Sequence, residues 1–167
     1  MQFYELLNKL NSSQTFKDFE ERNPKAFFCA GFFILNFKAN IFDYSLDYRD
    51  QENLFSFKIA EDKEVVINKE PIIKNMPQME KINCDVQIDI EDLKNIVNQN
   101  LQKNNIKNKL EEIIAVLQSY QGNKIWNLTC ICESFAIINM HINPENGQVI
   151  KFEKKNLLDF ASFKKKQ

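Results

Sequence analysis

The residues able to do chemistry are few, and their spacing says much about them. Cys130 and Cys132 flank Ile131, so on an extended strand both thiols point to one side. Metal sites built from cysteine pairs usually place two or more residues between the ligands and need a second pair elsewhere. Cys29 and Cys84 stand far off in the chain. Packing against a sheet accounts for all four more simply, because free cysteine is among the most buried residue types. No metal ligand set and no cofactor follows from them.

His141 is the only histidine. A Cys–His or Ser–His–Asp arrangement therefore has one base available, and it would need Cys29, Cys130 or Cys132 within hydrogen-bond reach. A tight hairpin of strands over 125–132 and 135–142 sets His141 opposite Trp126, on the face of the thiols but several residues from them. Nothing near the cysteines supplies a strained elbow or a glycine-lined oxyanion hole, so no catalytic residue is assigned. Asp43, Ser45 and Asp47 share one face of an alternating segment, with Asp50 and Glu52 in the turn beyond. Carboxylates can hold Mg²⁺ or do acid–base work. Regular alternation instead marks these as the wet face of an antiparallel strand.

Charge and composition narrow the partners. The formal net charge is −1, and Arg22 and Arg49 are the only arginines. A chain so balanced exerts no strong pull on a polyanion and lacks the residue that reads bases and phosphates best, so nucleic acid is not an expected partner. Three glycines leave few loops able to cradle phosphate. The longest apolar run, 26–35, falls well short of the ~18 residues a spanning helix needs. The first residues carry no basic stretch followed by an apolar one, as a secretory signal would. With few cysteines for the length, the expected setting is cytoplasmic, with reduced thiols and no membrane partner.

Periodicity supplies the elements that must position these groups. Phe3, Leu6, Leu7 and Leu10 predict a short helix, and Thr15 is the expected N-cap of a second one stopping before Pro24. Residues 26–35 read as a strand buried on both faces. Phe42, Tyr44, Leu46 and Tyr48 alternate with polar residues, and segments 54–59 and 64–67 continue a meander. Segment 85–90 could add a short strand. Ile90, Leu93, Ile96, Val97 and Leu101 form one helical stripe. Ile106, Leu110, Ile113, Ile114 and Leu117 form a second, with Gly122 as its C-terminal stop. Strands over 125–132, 135–142 and 149–152 follow. Leu157 to Phe160 would dock as a helical turn, and Lys164 to Lys166 would be solvated.

The expected fold class is α+β: antiparallel sheets with helices packed on one face, in two similar helix–sheet halves. The halves are 1–70 and 85–167, with 71–84 as linker. Two matches suggest a tandem repeat: 61–66 with 145–150, and 25–27 with 124–126. The stretch from Trp126 through Val149, ending on Glu145-Asn146-Gly147-Gln148-Val149, resembles the strand–turn–strand end of PepSY-like and cystatin-like domains. Asn23-Pro24 with Ala26 through Phe33 resembles small archaeal proteins of uncharacterised function. These resemblances imply binding or inhibition of a partner and carry over no catalytic residue.

The 15 Phe residues exceed what one small helix-on-sheet layer needs. Either they fill a large core, or a second face of the 26–35 strand is covered by a protein partner or by a second copy in a homodimer. The expected function is a non-catalytic binding or assembly module whose interaction face includes Phe28, Phe32, Ile34, Trp126 and His141. The alternative is a small-molecule pocket, with an aromatic cavity and Asp, Tyr or His141 at its mouth.

Overall fold

A computed structural model describes residues 1–73 and 78–156. The elements run α1 (Phe3–Ser12), α2 (Gln14–Arg22), β1 (Phe27–Asn36), β2 (Ile41–Arg49), β3 (Asn53–Ile59) and β4 (Val66–Pro71). Then come α3 (Ile90–Lys103), β5 (Leu110–Tyr120), β6 (Asn123–Cys132), β7 (Ala136–Ile142) and β8 (Val149–Asn156).

All eight strands belong to one antiparallel sheet, ordered β4-β3-β2-β1-β5-β6-β7-β8. The chain starts at the middle of this sheet and meanders out to β4. It then crosses back through α3 and meanders from β5 out to the other edge, β8. The centre is sealed by β1 against β5, from Ala30 opposite Gln118 to Asn36 opposite Glu112.

This corrects the expectation of two similar halves with separate sheets. The seven residue pairs of β1 and β5 make a single sheet, and two helices precede β1 where one precedes β5. The proposed repeat also misaligns, since 25–27 leads into β1, the first strand of its run, whereas 124–126 lies in β6, the second.

The largest local error concerns β5. Residues 106–117 satisfy a helical stripe, yet Leu110–Tyr120 is a strand, with Ile113, Ala115 and Leu117 buried on one face. Leu110, Ile113, Ile114 and Leu117 fit both periods, and the β-branched isoleucines and Val116 suit a pleated surface better. Gly122 is no helix stop. Gln121 and Gly122 both take positive φ, 52° and 78°, which is a two-residue turn closing the β5–β6 hairpin. Segment 85–89 forms no strand, and Ser13 rather than Thr15 caps α2, accepting from the Phe16 amide at 3.2 Å.

The helices bury their stripes against one face of the sheet. Phe3, Leu6 and Leu10 of α1, Phe16 and Phe19 of α2, and Leu93, Val97 and Leu101 of α3 join Phe33, Leu46, Phe57, Ile113, Leu117 and Leu128 in one core. Much of the aromatic surplus is absorbed there. Phe33 meets Phe3 and Trp126 edge-on at centroid distances of 6.1 and 5.6 Å, and Phe19 packs on Phe55 and Phe57 at 4.9 Å each. Asp89 ties two helix starts together: its Oδ1 accepts from the Ile90 amide at 2.6 Å and from the Phe3 amide at 2.9 Å.

The described part of the expected linker packs on the sheet. The Ile82 amide donates to the Phe28 carbonyl at 3.1 Å, Ile82 is buried, and Lys124 donates to Asn83 and to the Asp85 carbonyl. Residues 74–77 of that segment, the expected helical turn of Leu157 to Phe160 and the lysines 164–166 lie outside the described residues. No helix is long and apolar enough to cross a membrane among the described residues.

Candidate functional site

Alternation gives the sheet a second face, which none of the helix stripes covers. On β1 this face carries Ala30, Phe32 and Ile34, because Phe33 and Leu35 point into the core. Register extends the row outward. Phe32 stands opposite Ser45 on one side and Val116 on the other, and Ile34 opposite Asp43 and Ile114. Val116 then faces Asn127, which faces His141. Ile131 pairs with Ile137 on the same face. Phe32 is 38% exposed, and Ile34, Ile114, Val116, Ile131 and Ile137 are half-buried. The centre of the open face is therefore an apolar strip crossing β1 and β5, bordered by Asp43, Ser45, Asn127 and Thr129.

The five residues expected to form an interaction face divide between the two sides. Phe32, Ile34 and His141 are on the open face. Phe28, packed on Phe3 and Tyr48, and Trp126, whose indole N–H donates to the Ile88 carbonyl at 2.9 Å, are buried in the core. The cause for Trp126 and His141 is a one-residue register difference. Glu133–Phe135 forms a 3₁₀ turn in which Ser134 and Phe135 take positive φ, so His141 pairs with Asn127 and Trp126 with Ile142. A slip of one residue exchanges the faces.

That shift also separates the single histidine from the paired thiols. Cys130 and Cys132 are buried in the core, while His141 lies across the sheet, its ring 5.1 Å from Tyr120. Burial, with the field of Lys151 behind it, holds the His141 imidazole below its ordinary pKa, so it is neutral at pH 7. The thiols are pushed the other way. Burial, reinforced by Asp47, lifts Cys29 to about 12, and burial also raises Cys84, Cys130 and Cys132. All four are protonated thiols at neutral pH, the opposite of an activated nucleophile.

Asp43, Ser45 and Asp47 do share the open face, as the alternation of β2 required. Asp50 serves the β2–β3 turn, accepting from the Glu52 and Asn53 amides at 2.8 and 2.7 Å. Among the described residues no three His, Cys, Asp or Glu side chains converge as metal ligands would. Asp47 is the unusual member: its Oδ1 is buried and finds no hydrogen-bond partner among the described residues. Burial raises its pKa, a hydrogen bond from Ser56 opposes the rise, and Glu70 adds to it.

The helix side has an incomplete corner that sequence reasoning missed. Between α3 and the β1–β2 hairpin, Phe37, Phe42 and Tyr44 line a cleft of about 570 Å³ together with Glu61, Glu91 and Lys94. The surplus of Phe was a signal, but nothing in the spacing showed which rings would be left uncovered.

No family model matches the chain, and no curated protein matches it. Among solved structures, it is similar to a chain from Clostridium difficile 630 designated a "putative lipoprotein", at 15% identity and a TM-score of 0.57. The match covers 84% of this chain and 90% of the other. At that identity the likeness is one of fold. It lends no support to the PepSY-like, cystatin-like or archaeal resemblance.

Proposed function

We propose that the chain is a non-catalytic binding module that uses the open face of its sheet to pack against another protein. The observation carrying this reading is the half-exposed strip of Phe32, Ile34, Ile114 and Val116 across the two central strands. A strand-aligned apolar surface of this kind suits sheet-on-sheet packing, in which two faces interdigitate at about 10 Å. A second copy is the simplest occupant. The strip lies at the middle of the sheet, where a two-fold axis would set it against itself. The protonated thiols and the isolated, neutral His141 give catalysis no comparable foothold. Cytoplasmic placement, as part of this proposal, rests on the four free cysteines; the lipoprotein designation belongs to the structural neighbour.

Light scattering across a concentration series tests the proposal, with Phe32→Asp as the variant. A dimer that Phe32→Asp converts to a folded monomer is the expected result. A wild-type protein that stays monomeric at high concentration, with Phe32 taking up no photo-crosslink in extract of its own cells, overturns it.

A further inference from the structure

The corner left open between the β1–β2 hairpin and α3 has the composition of a cation site. Phe37 and Phe42 lie 6.2 Å apart at 61°, giving two ring faces at a steep angle. Tyr44 adds a half-buried third ring to the lining of the cleft. Phe42 is 39% exposed although it sits on the helix side of the sheet, so the core does not account for its outward ring. A positive group is already seated there: the Lys94 ammonium lies over the Phe37 ring, 4.3 Å from its centroid. That distance is within the range in which a ring quadrupole attracts a cation.

The carboxylates nearby favour a cation. Glu61 and Glu91 line the cleft. The field at the Tyr44 hydroxyl, beyond the effect of its burial, comes from Glu61, Glu91 and Glu5. Two cations lean on the same region from outside the rings. Lys9 donates to the carbonyls of Ala60 and Glu61, and the chain's amino group pairs with Glu91 at 3.5 Å. Neither is placed against an aromatic ring among the described residues.

We propose that the Phe37–Phe42–Tyr44 cleft binds an organic ammonium group, which seats on the rings in place of the Lys94 ammonium. Lys94 is then a tethered competitor, a flexible arm that fills the site until a better-fitting cation displaces it. A methylated ammonium suits the rings best, because its charge is spread over apolar methyl groups and costs little to remove from water. The cleft's volume of about 570 Å³ accommodates such a group with part of the molecule that carries it. The site faces away from the open sheet face, so it stands or falls independently of the packing proposed above.

Choline is the probe, and its uncharged tert-butyl isostere, dimethylbutanol, is the control. Ring signals of Phe37 and Tyr44 are followed by NMR in the wild type, Phe42→Ala and Lys94→Gln. Saturable shifts with choline are expected, about tenfold weaker with the isostere and with Phe42→Ala, and tighter with Lys94→Gln. Phe42 is 39% exposed, and amide spectra of the free variants verify that they are folded. The proposal is overturned if the isostere binds as well as choline, which would make the cleft a plain apolar groove. It is equally overturned if choline shifts no ring signal in either the wild type or Lys94→Gln.

Discussion

The backbone N–H of Phe3 donates to Oδ1 of Asp89 across a sequence separation of 86 residues, at 2.9 Å. The same oxygen caps α3 through Ile90. One carboxylate thus meets orphan amides at two helix starts, and it locks α1 to the segment that crosses back over the sheet.

Replacing Asp89 with Ala should therefore cost more than an ordinary cap. Losing the α3 cap and leaving the Phe3 amide unpartnered sum to about 2 kcal/mol. Asp89→Asn keeps an acceptor and should lose less than half of that. Chemical denaturation of the two variants measures the difference, and equal losses would show that the shared oxygen does not join the helices.

Gly31 predicts a steeper loss. A Cβ there would lie 2.6 and 2.8 Å from the ring of Phe33, which is wholly buried and held by Phe3 and Trp126. Gly31→Ala should destabilise by about 2–3 kcal/mol, because the ring has no free volume to move into. Phe33→Leu makes room, so in that background the same change should cost far less, a coupling read from a double-mutant cycle.

Asp47 predicts a pH effect of a definite sign. Its folded pKa is raised above the unfolded value of 3.8, so the folded state binds the proton more tightly. Stability from this group is complete below that unfolded value and is lost as pH rises through the folded pKa. Asp47→Asn removes the buried charge while keeping the shape of the side chain. It should stabilise the protein at pH 7 by about 1 kcal/mol and by less at pH 4. Melting temperatures at the two pH values decide it; a variant that melts lower than wild type at pH 7 refutes the account.

Strands with strict alternation were legible from sequence. β2 was fixed by Phe42, Tyr44, Leu46 and Tyr48, and β3 by Phe55, Phe57 and Ile59, because only a period of two puts all of them on one side. α3 was equally plain from Leu93, Val97 and Leu101. β5 was not, since Leu110, Ile113, Ile114 and Leu117 satisfy both periods. Only its pairing with β1 and β6 selects the extended form. The face of His141 was lost for a different reason. It depended on whether the β6–β7 turn used two residues or three, and the positive φ of Ser134 and Phe135 decides this. The aromatic cleft was out of reach altogether, because Phe37, Phe42 and Lys94 meet only once α3 lies beside the hairpin.

The sheet ends at β4 on one side and β8 on the other without closing on itself. Among the described residues no strand pairs with the outer side of either, and each such edge is a row of N–H and C=O groups that a strand from another molecule could continue. What opposes this is charge and a proline: Lys69, Glu70 and Pro71 on β4, and Lys151, Lys154 and Lys155 around Glu153 on β8. Charge guards of this kind weaken as salt screens them. In strong brine the edges would have little but the short β4 and its proline to stop one sheet from running into the next.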